Sequence, residues 1–304
     1  MITSSACRRM IVWLATLTPL LVGFVAPVRA GDGERHVVLV NVLDRDGDSV
    51  PRLTAANFRG EYRGQSVEVL SAIEDRAPRR VAVLLDRSGS QRGVAQLALR
   101  SAEELIDTLT PRHSIVIGTL AESVRQVAKL TNDRQALHDA LRDVAASEPT
   151  GPSYVYGAVL QACQGLQSPR PVGDAVWLFS DCEDTASAIE PTKMVAAAAQ
   201  TGVRVFTVPV PSERPPLGVQ WGQSWANSLA EATGGTVTRL EDLQKELPTL
   251  RSMVTDAYRL EVEFPKAVDK PQKWNLELVG ADGKKLPKVR LVYPHLIAPM
   301  AQAK

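Results

Sequence analysis

Asp86-Arg87-Ser88-Gly89-Ser90 puts one carboxylate and two hydroxyls at alternate positions of a short polar run. In extended backbone alternate side chains point the same way, so the three oxygens can converge on one point. Donors of this kind are hard, and they suit magnesium or a similar cation. The pentapeptide alone is a weak signal, because Asp and Ser also favour polar turns and helix caps. Two further runs strengthen it. Gly151-Pro152-Ser153 offers another hydroxyl, and Ser180-Asp181-Cys182-Glu183-Asp184 offers a second carboxylate. The candidate ligands are Asp86, Ser88, Ser90, Ser153 and Asp181. Asp86 is expected to face solvent and cation. Glu183 and Asp184 are read as solvated acids of the next helix. Trp221 and Trp225 are read as packing near the loop.

These runs need elements that bring them together. Residues 81–85 (VAVLL) form a short continuous apolar run, as expected of a strand covered on both faces. Val94, Leu97, Ala98, Leu105, Ile106 and Leu109 then follow helical spacing. Residues 114–120 read as a strand. Asn132 and Gln135 are read as caps of a helix carrying Leu137, Ala140, Leu141 and Val144. A helix over 156–166, a strand over 175–179, a helix over 194–199 and a strand over 203–210 follow. After a loop over 211–222, residues 225–232 read as a helix ending at Gly234-Gly235. Such alternation predicts an α/β domain with a doubly wound, mostly parallel sheet. Asp86 and Asp181 then sit at the carboxyl ends of strands, where open α/β sheets bind ligands.

The flanks have a different texture. Residues 36–43 and 66–73 read as strands, with the turn Asp44-Arg45-Asp46-Gly47-Asp48 after the first. That acidic turn is no calcium loop, since its glycine comes early and no glutamate closes it. Residues 258–264, 274–279 and 289–293 again alternate apolar and polar. Each flank alone would bury little surface. The expected organisation is therefore one small β domain built from residues 31–77 and 254–304, with an α/β domain over 78–253 inserted into it.

With these loops in place, the sequence resembles the von Willebrand factor type A (VWA) family and its metal-ion-dependent adhesion site. The resemblance covers residues 78–253, including Thr233-Gly234-Gly235-Thr236 before the family's last strand. The flanks resemble bacterial exported VWFA-related proteins, in part through Leu53-Thr54-Ala55-Ala56-Asn57-Phe58. The resemblance implies that Ser88 and Ser90 bind a metal directly and that Asp86 and Asp181 hold it largely through waters. Ser153 would join or leave with conformation. The implied cofactor is Mg2+, with Mn2+ or Ca2+ as substitutes. The implied partner is a protein presenting an acidic side chain. Two positions depart from the family pattern. Ser153 replaces a threonine and lacks its χ1 stiffness. Cys182 replaces a glycine and would be strained if φ is positive there.

Composition narrows the function classes. The 304 residues carry 35 basic and 34 acidic groups, so no basic excess exists to hold a nucleic-acid backbone. Arg8 and Arg9 precede an apolar stretch over 11–26, and Val28-Arg29-Ala30 forms a cleavage site. Residues 1–30 are thus expected to be a signal peptide, giving an exported, periplasmic or secreted protein that does not span the membrane. Removing Arg8, Arg9 and Arg29 leaves 32 basic groups against 34 acidic ones. Cys163 and Cys182 match no zinc spacing and are expected not to pair. His113, in a turn beside Pro111, is expected to be exposed. No nucleophile elbow, zincin motif, P-loop or dinucleotide fingerprint is present, so the chain reads as a binding protein and not an enzyme. The alternatives are a structural envelope scaffold with a vestigial metal site and, least favoured, a metal-dependent hydrolase.

Overall fold

The computed structural model describes residues 33–109, 111–166, 173–212 and 219–299, without the side chains of 219–223. The expected signal peptide and the Trp221 side chain lie outside the described residues. Among the described residues no helix is long and apolar enough to cross a membrane.

The chain opens with β1 (Glu34–Leu43), β2 (Phe58–Tyr62) and β3 (Gln65–Asp75). The α/β region follows: β4 (Arg80–Asp86), α1 (Ala95–Thr108), β5 (Ser114–Leu120), β6 (Val124–Thr131), α2 (Arg134–Ala145) and α3 (Val155–Leu166). It continues with β7 (Ala175–Ser180), α4 (Pro191–Ala199), β8 (Arg204–Pro209), α5 (Val219–Thr233) and α6 (Leu243–Thr255). The chain closes with β9 (Ala257–Phe264), β10 (Gln272–Lys273), β11 (Asn275–Leu278), β12 (Arg290–Val292) and β13 (Leu296–Ile297).

The α/β sheet has the order β6-β5-β4-β7-β8. β4 runs parallel to β5 and β7, and β7 runs parallel to β8, whereas the edge strand β6 is antiparallel to β5. Alternation along β4 divides the core. Val81, Val83 and Leu85 pack with α1, α2 and α6, while Ala82 and Leu84 pack with α3, α4 and α5. Helices thus cover both faces, which is why this strand reads as an unbroken apolar run. The chain moves outward from β4 through β5 to β6, then returns to place β7 on the other side of β4. That reversal opens a crevice at the carboxyl ends of β4 and β7.

A second, antiparallel sheet has the order β11-β2-β3-β9-β1-β12 and draws strands from both ends of the chain. Val38 of β1 and Ala72 of β3 both stand opposite Leu260 of β9. Its interior holds Phe58, Tyr62, Phe264 and Trp274, with edge-to-face rings at 5.2 Å for Tyr62–Phe264 and 5.5 Å for Phe264–Trp274. The two edge strands approach each other, and the Leu276 N–H donates to the Tyr293 hydroxyl at 3.0 Å. Leu43 of β1 and Val292 of β12 belong to the same buried cluster as α6, so the two sheets share apolar packing. The acidic turn after β1 is a plain turn in which Asp44 Oδ1 accepts from the N–H groups of Asp46 and Asp48.

Several elements differ from the sequence reading. β2, β6 and α6 were not legible. β6 is a half-exposed edge strand with weak alternation. α6 contains Pro248, which signals a helix break, yet the helix continues around it because Leu243, Leu250, Met253 and Val254 are buried. Leu97 follows the helical spacing of α1 but is 50% exposed, since the buried stripe runs through Ala95, Ala98, Leu99 and Ala102. The cap of α2 is Asp133, whose carboxylate accepts from Gln135 N and Ala136 N, and not Asn132.

His113 is also corrected: it is 3% exposed, and its Nδ1 accepts the Arg79 N–H at 3.0 Å. Only a neutral imidazole can accept there. Burial, with nearby arginines adding to it, lowers its pKa from 6.5 to about 4. A depressed folded pKa means stability that is present above 6.5 and lost as pH falls towards 4. At about 1.36 kcal/mol per pH unit, reduced for residual solvent screening, the loss is on the order of 2 kcal/mol. His113→Asn keeps an acceptor for Arg79 and does not titrate. Urea unfolding of both proteins should show a gap that changes by that amount between pH 6.5 and pH 4. A constant gap would mean that His113 is protonated without cost.

Candidate functional site

Asp86 closes β4, and Asp181 directly follows β7, so both stand at the crevice left by the chain reversal. The loop over 87–91 is held from two sides. Arg87 N–H donates to Leu120 O at 2.7 Å, and Gly89 N–H donates to Gly151 O at 2.9 Å. In return, Thr150 N–H donates to Arg87 O at 2.8 Å. These backbone bonds dock the loop over 147–153 against the first loop. The third loop joins through Thr185, whose hydroxyl accepts the Ser153 N–H at 2.9 Å and whose own N–H donates to Ser153 O at 2.8 Å.

The side chains meet in two hydrogen-bonded groups of oxygens. Ser88 Oγ lies 3.2 Å from Ser90 Oγ, and Ser90 Oγ donates to Asp181 Oδ2 at 2.6 Å. Ser153 Oγ donates to Asp86 Oδ2 at 3.3 Å. The Ser88 N–H, which donates to Asp86 Oδ1 at 2.9 Å, joins the two groups, so all five residues singled out in the sequence gather around one place. A sixth residue was missed. Ser180 donates to Asp86 Oδ2 at 2.5 Å, and its oxygen accepts the Cys182 N–H at 3.0 Å. As the last residue of a buried strand it carried no separate signal beyond its place in the Ser180-Asp181 pair.

Asp86 does not face solvent. It is 2% exposed, and Ser180, Ser153 and the Ser88 N–H at 2.9 Å surround its carboxylate. Burial pushes its pKa from 3.8 up to about 6, partly opposed by the hydrogen bonds of Ser180 and Ser88 and assisted by the negative charge of Asp181. The reason is geometric: the last residue of a central strand is covered by the loops that dock on both sides of it.

Asp184 also departs from expectation. Its Oδ2 accepts the Tyr156 N–H at 2.7 Å and the Ser187 hydroxyl at 2.6 Å, so it caps the first turn of α3 instead of standing in solvent. Glu183 is half-buried, and burial together with Asp181 raises its pKa. Cys182 adopts φ +64°, a left-handed conformation in which the glycine of the family pattern would be at ease. Trp225 does pack at this loop: its indole N–H donates to Cys182 O at 2.9 Å, and its ring meets Tyr156 edge-on at 4.9 Å. Cys163 and Cys182 are both buried and free.

The donor set is all oxygen, two carboxylates and three hydroxyls, with no nitrogen or sulfur ligand. Among the described residues no group of three or more His, Cys, Asp or Glu side chains is arranged to hold a metal ion. Such a set can hold a hard divalent cation weakly and excludes a structural zinc site. The hydroxyls of Ser90 and Ser153 now give their protons to the carboxylates. Their lone pairs are the atoms a cation would use.

No family model and no curated protein matches the chain. Among solved structures it is similar to the conserved hypothetical protein BatB of Bacteroides thetaiotaomicron. Identity is 16% over 58% of this chain and 98% of that one, with a TM-score of 0.44. The SpRpn10 VWA domain is similar at 12% identity, over 58% and 98% of the two chains, with a TM-score of 0.44. A third is proximal thread matrix protein 1 from the mussel byssus with a zinc-occupied MIDAS motif, at 14% identity, over 63% and 50%, with a TM-score of 0.49. The resemblance is to VWA domains, and scores of this size bear on neither the site nor its chemistry. The doubly wound architecture follows from this chain's own strand order.

Proposed function

We propose that the protein binds another protein in a cation-dependent way, with Asp86, Ser88, Ser90, Ser153 and Asp181 holding magnesium or manganese. The single observation that supports this reading is the cluster of five oxygen-bearing side chains at the reversal point of the sheet, two hydrogen-bonded groups joined by the Ser88 N–H on Asp86. Three loops far apart in sequence supply it, and backbone hydrogen bonds lock them together. Few anionic ligands leave a bound cation electrophilic, so it accepts a carboxylate from a partner. The residues' own part is to fix the place and to exclude competing anions from the half that Asp86 occupies. The hydroxyls of Ser90 and Ser153 that stand beside carboxylates are the groups that would hold the cation, so the site suits binding better than turnover. The leader-like residues 1–30 favour an exported protein, and the antiparallel sheet formed by both chain ends is read as the domain that carries the inserted one.

A scaffold role with a vestigial site has one observation in its favour: the carboxylates are already satisfied by Ser90, Ser153 and Ser180. Cation titration separates the two. Sites with few carboxylates bind with dissociation constants on the order of 10⁻⁴–10⁻³ M. At a hundred times that constant the stabilisation is about 2.7 kcal/mol. Asp86→Asn and Asp181→Asn should remove it, and Ser153→Ala should weaken it. Asp86→Asn is chosen over Asp86→Ala because it leaves the buried Ser180 hydroxyl a partner. Thermal unfolding and calorimetry with Mg2+ or Mn2+, against EDTA, measure this. Wild-type protein indifferent to either cation at about 10 mM would leave the scaffold reading in place.

A further inference from the structure

Beside this oxygen cluster, and outside it, lies a cleft of about 660 Å³. This is within the size range of sites that take a side chain or small ligand. It begins one residue after Asp181 and runs between the loop over 182–185, the first turn of α4 and the flank of α5. Its walls are of two kinds. Tyr156 and Trp225 give aromatic surface, and Glu183 and Asp184 give carboxylates. None of the described residues that line it is Lys, Arg or His. Asp184 already answers the positive end of α3 through the Tyr156 N–H. Glu183 has no such role: its backbone N–H is tied to Asp181 Oδ1 at 3.1 Å, and its side chain lines the cleft half-buried. The bond from the Trp225 indole to Cys182 O fixes the aromatic wall to the same loop.

We propose that this cleft receives a guanidinium or ammonium side chain of the partner, next to the place where the partner's carboxylate meets the cation. The proposal deepens the reading above and rests on it for the carboxylate half alone. Aromatic side chains and a carboxylate, with no basic residue among the described lining, are the features that select an organic cation over a neutral side chain of equal size. The arrangement also sets the partner's chemistry. Asp181 and Glu183 are two residues apart, so the acid and the base of the ligand must lie close together.

The test begins in EDTA, with ¹⁵N-labelled full-length protein titrated with n-butylguanidinium and with its neutral isostere N-butylurea. The expected result is a saturable shift of the Trp225 indole and Glu183 amide resonances, with the urea binding about fivefold more weakly. Glu183→Gln should reduce the guanidinium to the level of the urea, and Thr192→Lys, at an exposed position lining the cleft, should block it. Equal binding of the two isosteres, or an unchanged Glu183→Gln protein, overturns the proposal. In magnesium, capped peptides Asp-Arg with none to three intervening glycines are compared with versions carrying norleucine for arginine. At least one spacing should favour arginine about fivefold, and no preference at any spacing also overturns it. Since the first titration contains no cation, its failure is distinct from a failure of the metal site.

Discussion

Arg204→Met should lower the stability of the folded protein by about 3–5 kcal/mol. Arg204 is 3% exposed, at the start of β8, and no carboxylate is bonded to its guanidinium. Its Nε donates to Gly234 O at 2.7 Å, Nη1 to Met253 O at 2.7 Å and Nη2 to Asn41 Oδ1 at 2.5 Å. Burial lowers its pKa to about 9, so it remains charged at neutral pH. The carbonyl of Met253 lies in the last turn of α6, where the helix presents partial negative charge. The ring of Phe206 lies 5.0 Å from the guanidinium carbon. One planar cation thus joins β1, α6 and the segment after α5. Methionine fills the volume but leaves Gly234 O and Asn41 Oδ1 without that donor, each costing about 1–3 kcal/mol when buried and unpaired, while Met253 O keeps only the Asn41 Nδ2–H at 3.2 Å. Relief of the guanidinium's own desolvation offsets part of that. Urea unfolding of wild type, Arg204→Met and Arg204→Lys measures the balance. Lysine should fall between the two, because one ammonium cannot span three acceptors in a plane. A methionine variant as stable as wild type would mean that desolvation of the guanidinium cancels its hydrogen bonds.

Gly235→Ala should cost about 3 kcal/mol, at the upper end of what overpacking usually costs. A Cβ there would stand 1.8 Å from Val205 O and 2.5 Å from Val205 C, both backbone atoms of β8. A flexible side chain could turn away from such a contact, but a strand paired with β7 cannot. The approach is fixed from both sides. Gly235 N–H donates to Ala230 O at 2.8 Å, and the pair Thr207 N–H to Thr236 O and Thr238 N–H to Thr207 O, each 2.9 Å, zips residues 236–238 alongside β8. The neighbouring Gly234 has φ +77° and makes the turn out of α5. The cost should appear in equilibrium unfolding, with the spectrum of the folded state unchanged. Because β8 carries Arg204 as well, the two substitutions share a strand and should not be additive.

The strands whose residues are buried on both faces were legible from the chain, since an apolar run such as VAVLL admits few other readings. Helices with a regular buried stripe were legible for the same reason. β6 and α6 were not, because a half-exposed edge strand has little pattern and Pro248 contradicts the helix that tertiary burial imposes. The candidate ligands were legible as residue types: Asp86, Ser88 and Ser90 share one local run, and Ser153 and Asp181 fall in loops before helices. Their meeting was decided elsewhere. Sequence spacing contains no information on which loops dock, and the backbone bonds among Arg87, Gly89, Thr150 and Gly151 bring the first two loops together. Burial was decided by distant segments too: the docked loops enclose Asp86, the third loop brings Asp184 to cap α3, and at the opposite end of the sheet His113 is buried and neutral against the Arg79 N–H. Local chemistry and periodicity belong to the sequence by itself. Solvent access and the partner of each polar group depend on chain segments tens of residues away, and only the tertiary structure determines them.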